Sequence, residues 1–407
     1  MRGILNNIKQ WWLTLFLTWK SEYKLVFKDP GVLLYFFALP LMYPIAYTLI
    51  YNPELVTEVP VVIVDNSRTA DSREFSRMLD ATQNVEVKGY VSNLAEAKRW
   101  MKERKVYGIL EIPEDYARRI GRNEQAVMQL YCDMSLLLRY RQILFAITDL
   151  SLQLGSDIRA ELLDPTPAAS VLSSARDNAV VDTQSFFLGD VTQGFASFIM
   201  LGIVVFILQQ SMVLGVMMLG GGSYERRQRN YGVDPLEVPG PMSASILGRA
   251  LCYLTLYAPM VIYILHYIPL MFKLPHLGNM MDYFALMLPM MLASTFMGQM
   301  LRPLVTERET SFLIFVFTSV IFLFASGITW PRSSMSDGWL MFSSIIPCTW
   351  GSQGFVAISS NGAALSDVKT AYYMLWLLAV VFYFIALNVE KLCQRRDLRR
   401  YKVPSMR

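Results

Sequence analysis

Six long apolar stretches constrain this 407-residue chain more than any other feature of it. A helix needs about 20 mostly apolar residues to cross the ~30 Å hydrocarbon layer of a bilayer. Stretches of that character run over residues 31–51, 186–219, 246–270, 283–301, 311–330 and 370–390. Lipid offers the backbone no hydrogen-bond partners, so each stretch is expected as a helix, not as an open strand. Composition agrees: 54% of residues are hydrophobic and 17% charged, outside the range of an ordinary soluble domain. The first stretch does not read as a cleavable signal peptide, because thirty residues precede it and no small-x-small site follows it.

Basic residues near helix ends tend to stay cytoplasmic, and this sets an orientation. With the N-terminus inside, the inner segments 1–30, 221–250, 302–310 and 391–407 hold eighteen Lys and Arg, against Lys273, Arg332 and Lys369 in the short outer loops. Six crossings with both termini cytoplasmic are therefore expected. The net charge of +4 then reflects topology and contact with anionic lipid, and it gives no reason to expect a nucleic-acid partner.

Residues 1–30 place Ile8, Trp12, Leu15, Trp19, Tyr23 and Val26 at helical spacing, with Gln10, Thr14, Ser21 and Lys24 opposite. An amphipathic helix lying at the inner membrane surface is expected, ending at Asp29-Pro30. Residues 52–185 have the composition of a soluble domain, and alternate short β-type runs such as "VPVVIVDNS" and "VYGILEIP" with helical ones. They read as an inserted extracytoplasmic α/β domain with some parallel pairing, followed by a long amphipathic helix beginning near "LLLRYRQILF". Asp65-Asn66-Ser67 suits either a helix cap or a ligand site.

The stretch 186–219 is longer than a bilayer requires and carries Gln209 and Gln210 midway. Amides at that depth must face another helix or a wet cavity, so they serve as packing contacts or line a path; Thr318 and Ser319 are further path candidates. In the inner loop 220–245, "GGGSYERRQRN", three glycines are expected to break the helix. A short charged piece containing Ser223, Tyr224, Glu225, Arg226, Arg227 and Arg229 is then free to dock on a partner. Reversal of Arg226, Arg227 and Arg229 is expected to leave folding intact, as exposed substitutions usually do. Thr306-x-x-Glu309 has the pattern of a capping box that starts the fifth helix.

After the fifth stretch, Pro331 breaks the chain, and residues 331–369 hold two apolar pieces too short to cross a membrane. They are expected as short helices over 339–346 and 349–358, joined at Pro347, with Gly351 in the second. Such pieces read as a re-entrant hairpin, tolerated at membrane depth only when packed on protein, and therefore a candidate gate. The fold class expected is a membrane all-α body of six transmembrane helices, an N-terminal interfacial helix and this hairpin, plus the inserted domain.

Chemistry on this chain itself is not expected. Cys132, Cys252, Cys348 and Cys393 lack metal-ligand spacing. Cys132 and Cys348 share the outer side, where two unpaired thiols are preferred to a disulfide. His266 and His276 are the only histidines, and neither has a carboxylate or cysteine at catalytic or metal spacing. No GxxxxGK[ST] phosphate loop is present, so the chain is not an ATPase.

The order of elements, with "FFALPLMYPIAY", "VPVVIVDNS", "YGILEIPEDYARRI" and "SGITWPRSSM…IIPCTW", resembles the permease subunits of type-2 ABC exporters, in the branch with a large domain after the first helix. The resemblance covers essentially the whole chain. It implies a permease pairing with a second, identical or paralogous, permease in the bacterial inner membrane. ATP and Mg would sit on separate ATPase subunits docked at the inner loop, with a periplasmic adaptor as a further partner. The family's usual Gly-Thr pair is absent from "YERRQRNYGVDPLEV". Inner crossings without buried Asp or Glu suit an amphiphilic, drug-like or lipid-like cargo. Two alternatives stand beside efflux of that kind: a polysaccharide-type permease, and a non-transporting anchor whose outer domain binds a partner.

Overall fold

The computed structural model describes residues 2–50, 56–122, 124–162, 195–274 and 276–401. Two compact units emerge, Leu55–Phe186 and the remainder of the chain.

The smaller unit is built on a four-stranded sheet: β1 (Val59–Asp65), β2 (Val85–Tyr90), β3 (Gly108–Ile112) and β4 (Gln129–Cys132) in the order β2-β1-β3-β4. β1 pairs in parallel with β2 and β3, while β4 is antiparallel to β3. β1 is buried on both faces, which is why it reads as a continuous run of Val and Ile. Phe75 and Leu79 of one helix (Ala70–Asp80), with Ile143 and Ile147 of the long helix Leu137–Leu162, cover one face. Ala97 of the helix Leu94–Lys102 covers the other. Asp65 proves to be a turn organiser: its carboxylate accepts hydrogen bonds from the amides of Ser67 and Arg68 and from the hydroxyl of Ser72.

The larger unit is helical. We number its helices α1 (Arg2–Lys28), α2 (Pro30–Ile50), α3 (Phe195–Arg229), α4 (Met242–Phe272), α5 (Met280–Leu301), α6 (Thr310–Ala325), α7 (Asp337–Ser344), α8 (Pro347–Asn361) and α9 (Lys369–Tyr401). Among the described residues, α2, α3, α4, α5 and α9 are long and apolar enough to cross a membrane. α6 has 16 residues, about 24 Å at 1.5 Å per residue, and falls short of the full span expected over 311–330. Residues 186–194, assigned above to the second crossing, lie outside the described residues.

α3 is the hub, buried on every face from Met200 to Ser223 and packed against α2, α5, α6 and α8. A helix apolar all round is stable only in such surroundings. Contrary to expectation, Gly220, Gly221 and Gly222 do not break it: α3 runs unbroken to Arg229. These glycines admit neighbours instead. A Cβ on Gly220 would lie 2.1 Å from Cγ of Arg302, and one on Gly221 would lie 3.0 Å from the backbone of Glu307 and Arg308.

Three further expectations need correction. α1 packs on α4 through Thr14, Leu15, Thr18, Glu22 and Val26, so part of its polar stripe faces protein, while Trp12, Leu13, Phe16 and Leu17 are exposed. Close approach explains this choice, since a Cβ on Gly248 would meet the Leu15 carbonyl at 2.6 Å. Thr306 caps nothing: Glu309 occupies the N-cap of α6 and makes no side-chain cap bond. Glu390, in the C-terminal part of α9, is a buried acid where none was expected.

The segment after α6 holds the two short helices α7 and α8. Pro347 takes the first turn of α8, where its missing N–H costs nothing. α8 packs against α3, α5 and α9.

Candidate functional site

Charged residues expected to lie free at the inner loop are instead knitted into the helical unit. Asp234, in the turn after α3, receives both Nε and Nη2 of Arg226 at 2.9 and 3.0 Å and the Ser223 hydroxyl at 2.7 Å. Burial works against the charged form of Asp234, but the hydrogen bonds from Arg226 and Ser223 outweigh it and hold the carboxyl below its ordinary value. Arg227 pairs with Glu237 at 2.7 Å and approaches Glu390 at 3.8 Å. Arg249 of α4 spans the same two acids, at 3.1 Å from Glu237 and 3.2 Å from Glu390. Glu22 of α1 accepts the hydroxyl of Tyr253. Nearby, Glu225 accepts the Arg308 amide at 3.2 Å, and Arg308 pairs with Asp29 at 2.8 Å.

The loop 230–241 is thus clamped to α3 and α4, and through Arg227 and Arg249 to Glu390 of α9. Fork-shaped guanidinium groups suit this task, because each can hold two carboxylate oxygens in fixed geometry. Arg226 and Arg227 are 23% and 16% exposed, so reversing their charge would break buried pairs, and the expectation of a harmless triple reversal is withdrawn. Arg229 differs, standing exposed with Tyr231, Val233 and Leu236 on a protruding tip. Tyr224 is half-buried beside a cleft.

The path candidates fall in different settings. Gln209 and Gln210 are buried, and Oε1 of Gln209 accepts the Cys348 amide at 2.6 Å, bonding the middle of α3 to the start of α8. Packing glue accounts for that contact, although both Nε2 atoms lack partners. Thr318 and Ser319 donate to carbonyls one turn back in α6 and are half-buried. Of the gate candidates, Pro331 is exposed and Pro347 buried, while a Cβ on Gly351 would meet Met290 at 2.8 Å and Val205 at 3.1 Å. Gly351 is therefore a three-helix packing position, and bulk there would disturb α3, α5 and α8 together.

None of the four cysteines is in a disulfide. No group of three or more metal-ligating side chains occurs among the described residues. The sequence reading missed Asp234, Glu237, Arg249, Arg302 and Glu390; an acid closing an otherwise apolar stretch was the one local signal available, at Glu390.

A search among curated proteins finds no match. The family model described as ABC-2 family transporter protein matches residues 30–388, most of the chain and parts of both units. The chain belongs to that family. As an ABC-2 permease it is a multi-pass membrane component of a transporter, and its family normally works with an ABC ATPase. In this ABC-2 permease the ion network lies at the inner-loop segment singled out for docking.

Proposed function

We propose that this ABC-2 permease is the membrane half of an ATP-driven exporter. Two permeases pair in the bacterial inner membrane with both termini cytoplasmic, the α/β unit lies outside, and separate ATPase subunits carry ATP and Mg. The tip from Arg229 to Leu236 receives the ATPase, and the buried pairs behind it pass the motion to α3, α4 and α9. The observation that carries this reading is the clamp itself: the exposed tip is tied to the helices through Asp234 and Glu237, neither of which can slip without leaving a buried charge unpaired. Nucleotide-driven closure of the ATPases then shifts the helices between two packings, each discrete because packed interiors do not deform continuously. The cargo is amphiphilic, drug-like or lipid-like; α7 and α8 form the re-entrant hairpin over the outer end of its path, and a periplasmic adaptor receives it.

Affinity purification in mild detergent tests this assignment. A phosphate-loop ATPase is expected to co-purify and to show hydrolysis stimulated by the permease. Recovery of the permease with no such ATPase, under conditions that keep it folded, would count against it.

A further inference from the structure

Arg302 stands apart from the other arginines of the ion network. Arg226, Arg227 and Arg249 each hold a carboxylate within 3.1 Å. Arg302 is only 7% exposed, pairs with no acid of a described residue within ion-pair distance, and leaves Nη1 buried without a hydrogen-bond partner. Glu390, an acid near it, is already held by Arg249 at 3.2 Å. The single charge of Glu390 thus serves Arg249, Arg302 and Arg227 together, so the buried guanidinium of Arg302 is incompletely compensated and favours a further anion beside it.

The position is built, not accidental. Arg302 opens the short turn Arg302–Leu304 that ends α5, and its stem lies across Gly220 so closely that any side chain there would overlap it. Its flank forms part of a small open cleft, with a volume of about 50 Å³, shared with Ser223, Tyr224, Arg227, Glu390 and Arg396. Arg227 is committed to Glu237, and Glu390 is neutralised by Arg249. Arg396, exposed at the cleft, makes no ion pair with a described residue. The cleft's arginines without a hydrogen-bonded acid are therefore Arg302 within, sharing Glu390 at longer range, and Arg396 outside, with the Tyr224 hydroxyl beside them.

We propose that this cleft binds a phosphate group, whose oxygens accept from the Arg302 guanidinium where it borders the cleft and from Arg396. Guanidinium pairs suit a tetrahedral oxyanion, and phosphate contacts of this kind are charge-assisted. The group belongs either to an anionic phospholipid headgroup or to free phosphate. Only the lipid source rests on the orientation proposed above, since it requires the cleft to face the inner leaflet.

The full-length protein, purified in a neutral detergent, is titrated with inorganic phosphate and, separately, with micelles doped with phosphatidylglycerol or phosphatidylcholine, and its thermal unfolding midpoint is followed. The midpoint is expected to rise with phosphate or with phosphatidylglycerol, and not with phosphatidylcholine. Arg396→Gln and Arg302→Gln are each expected to weaken the apparent affinity about 10-fold or more, the effect of losing one charged hydrogen bond. Stabilisation by phosphatidylglycerol alone assigns a lipid headgroup; stabilisation by inorganic phosphate assigns the free anion and holds whatever the orientation of the chain. Arg396 is exposed, so its variant decides the matter if Arg302→Gln does not fold. Absence of any rise in the wild type, or a wild-type response in every variant that folds, overturns the proposal.

Discussion

Glu390 is buried and holds Arg249 at 3.2 Å, while Arg227 stands 3.8 Å away. Removing one partner from a buried pair leaves an uncompensated charge, at a cost of about 3 kcal/mol. Glu390→Gln is expected to lower stability by roughly that amount in thermal unfolding of the detergent-solubilised protein, whereas Arg229→Gln, at an exposed position, should stay within about 0.5 kcal/mol. Equal midpoints for the two variants would mean that the network contributes nothing. The charges themselves are visible in the sequence; their partners are not. Arg249 meets Glu237 across 12 positions and Glu390 across 141, and Gln209 meets the Cys348 amide across 139. Separation along the chain is what hid the difference between the exposed Arg229 and the clamping arginines Arg226 and Arg227.

At the scale of the elements, apolar length made the long helices legible, and Pro347, expected at the junction of two short helices, proves to be the first residue of α8, where proline is locally preferred. Glycine misled. Three in a row lower helix propensity by about 1 kcal/mol each relative to alanine, which reads as a break. The same residues also permit close approach, and only the fold reveals that Arg302 and the 307–308 backbone lie against Gly220 and Gly221. Gly220→Ala and Gly221→Ala are expected to destabilise by about 1–3 kcal/mol through overpacking. Gly222→Ala meets only the ends of the Arg308 and Arg226 side chains, at 3.2 Å or more, and should be close to neutral. Thermal midpoints of the three variants check this ranking; a higher midpoint for all three would show that propensity, not packing, governs the site. The capping pattern at Thr306 failed for a related reason: the chain there bends to bring Arg308 to Glu225 and Asp29, and α6 begins only at Thr310.

For the whole molecule, the family match over residues 30–388 takes in the long helices and the sheet of the smaller unit alike. Parallel strands, membrane-length helices and the broken segment 331–369 were all legible, because each has a period or a length of its own. The joining of the inner loop to three helices was not, since it depends on acids and arginines meeting in space. The central claim is that the tip carrying Tyr231, 81% exposed, receives an ATPase on the cytoplasmic side. A photoreactive amino acid placed at position 231 in living cells tests it most directly. Illumination is expected to join this permease to a phosphate-loop ATPase, with loss of the product when the ATPase is deleted. Reaction of a cysteine at the same position with an impermeant label added outside intact cells, and no crosslink to an ATPase, would contradict the account.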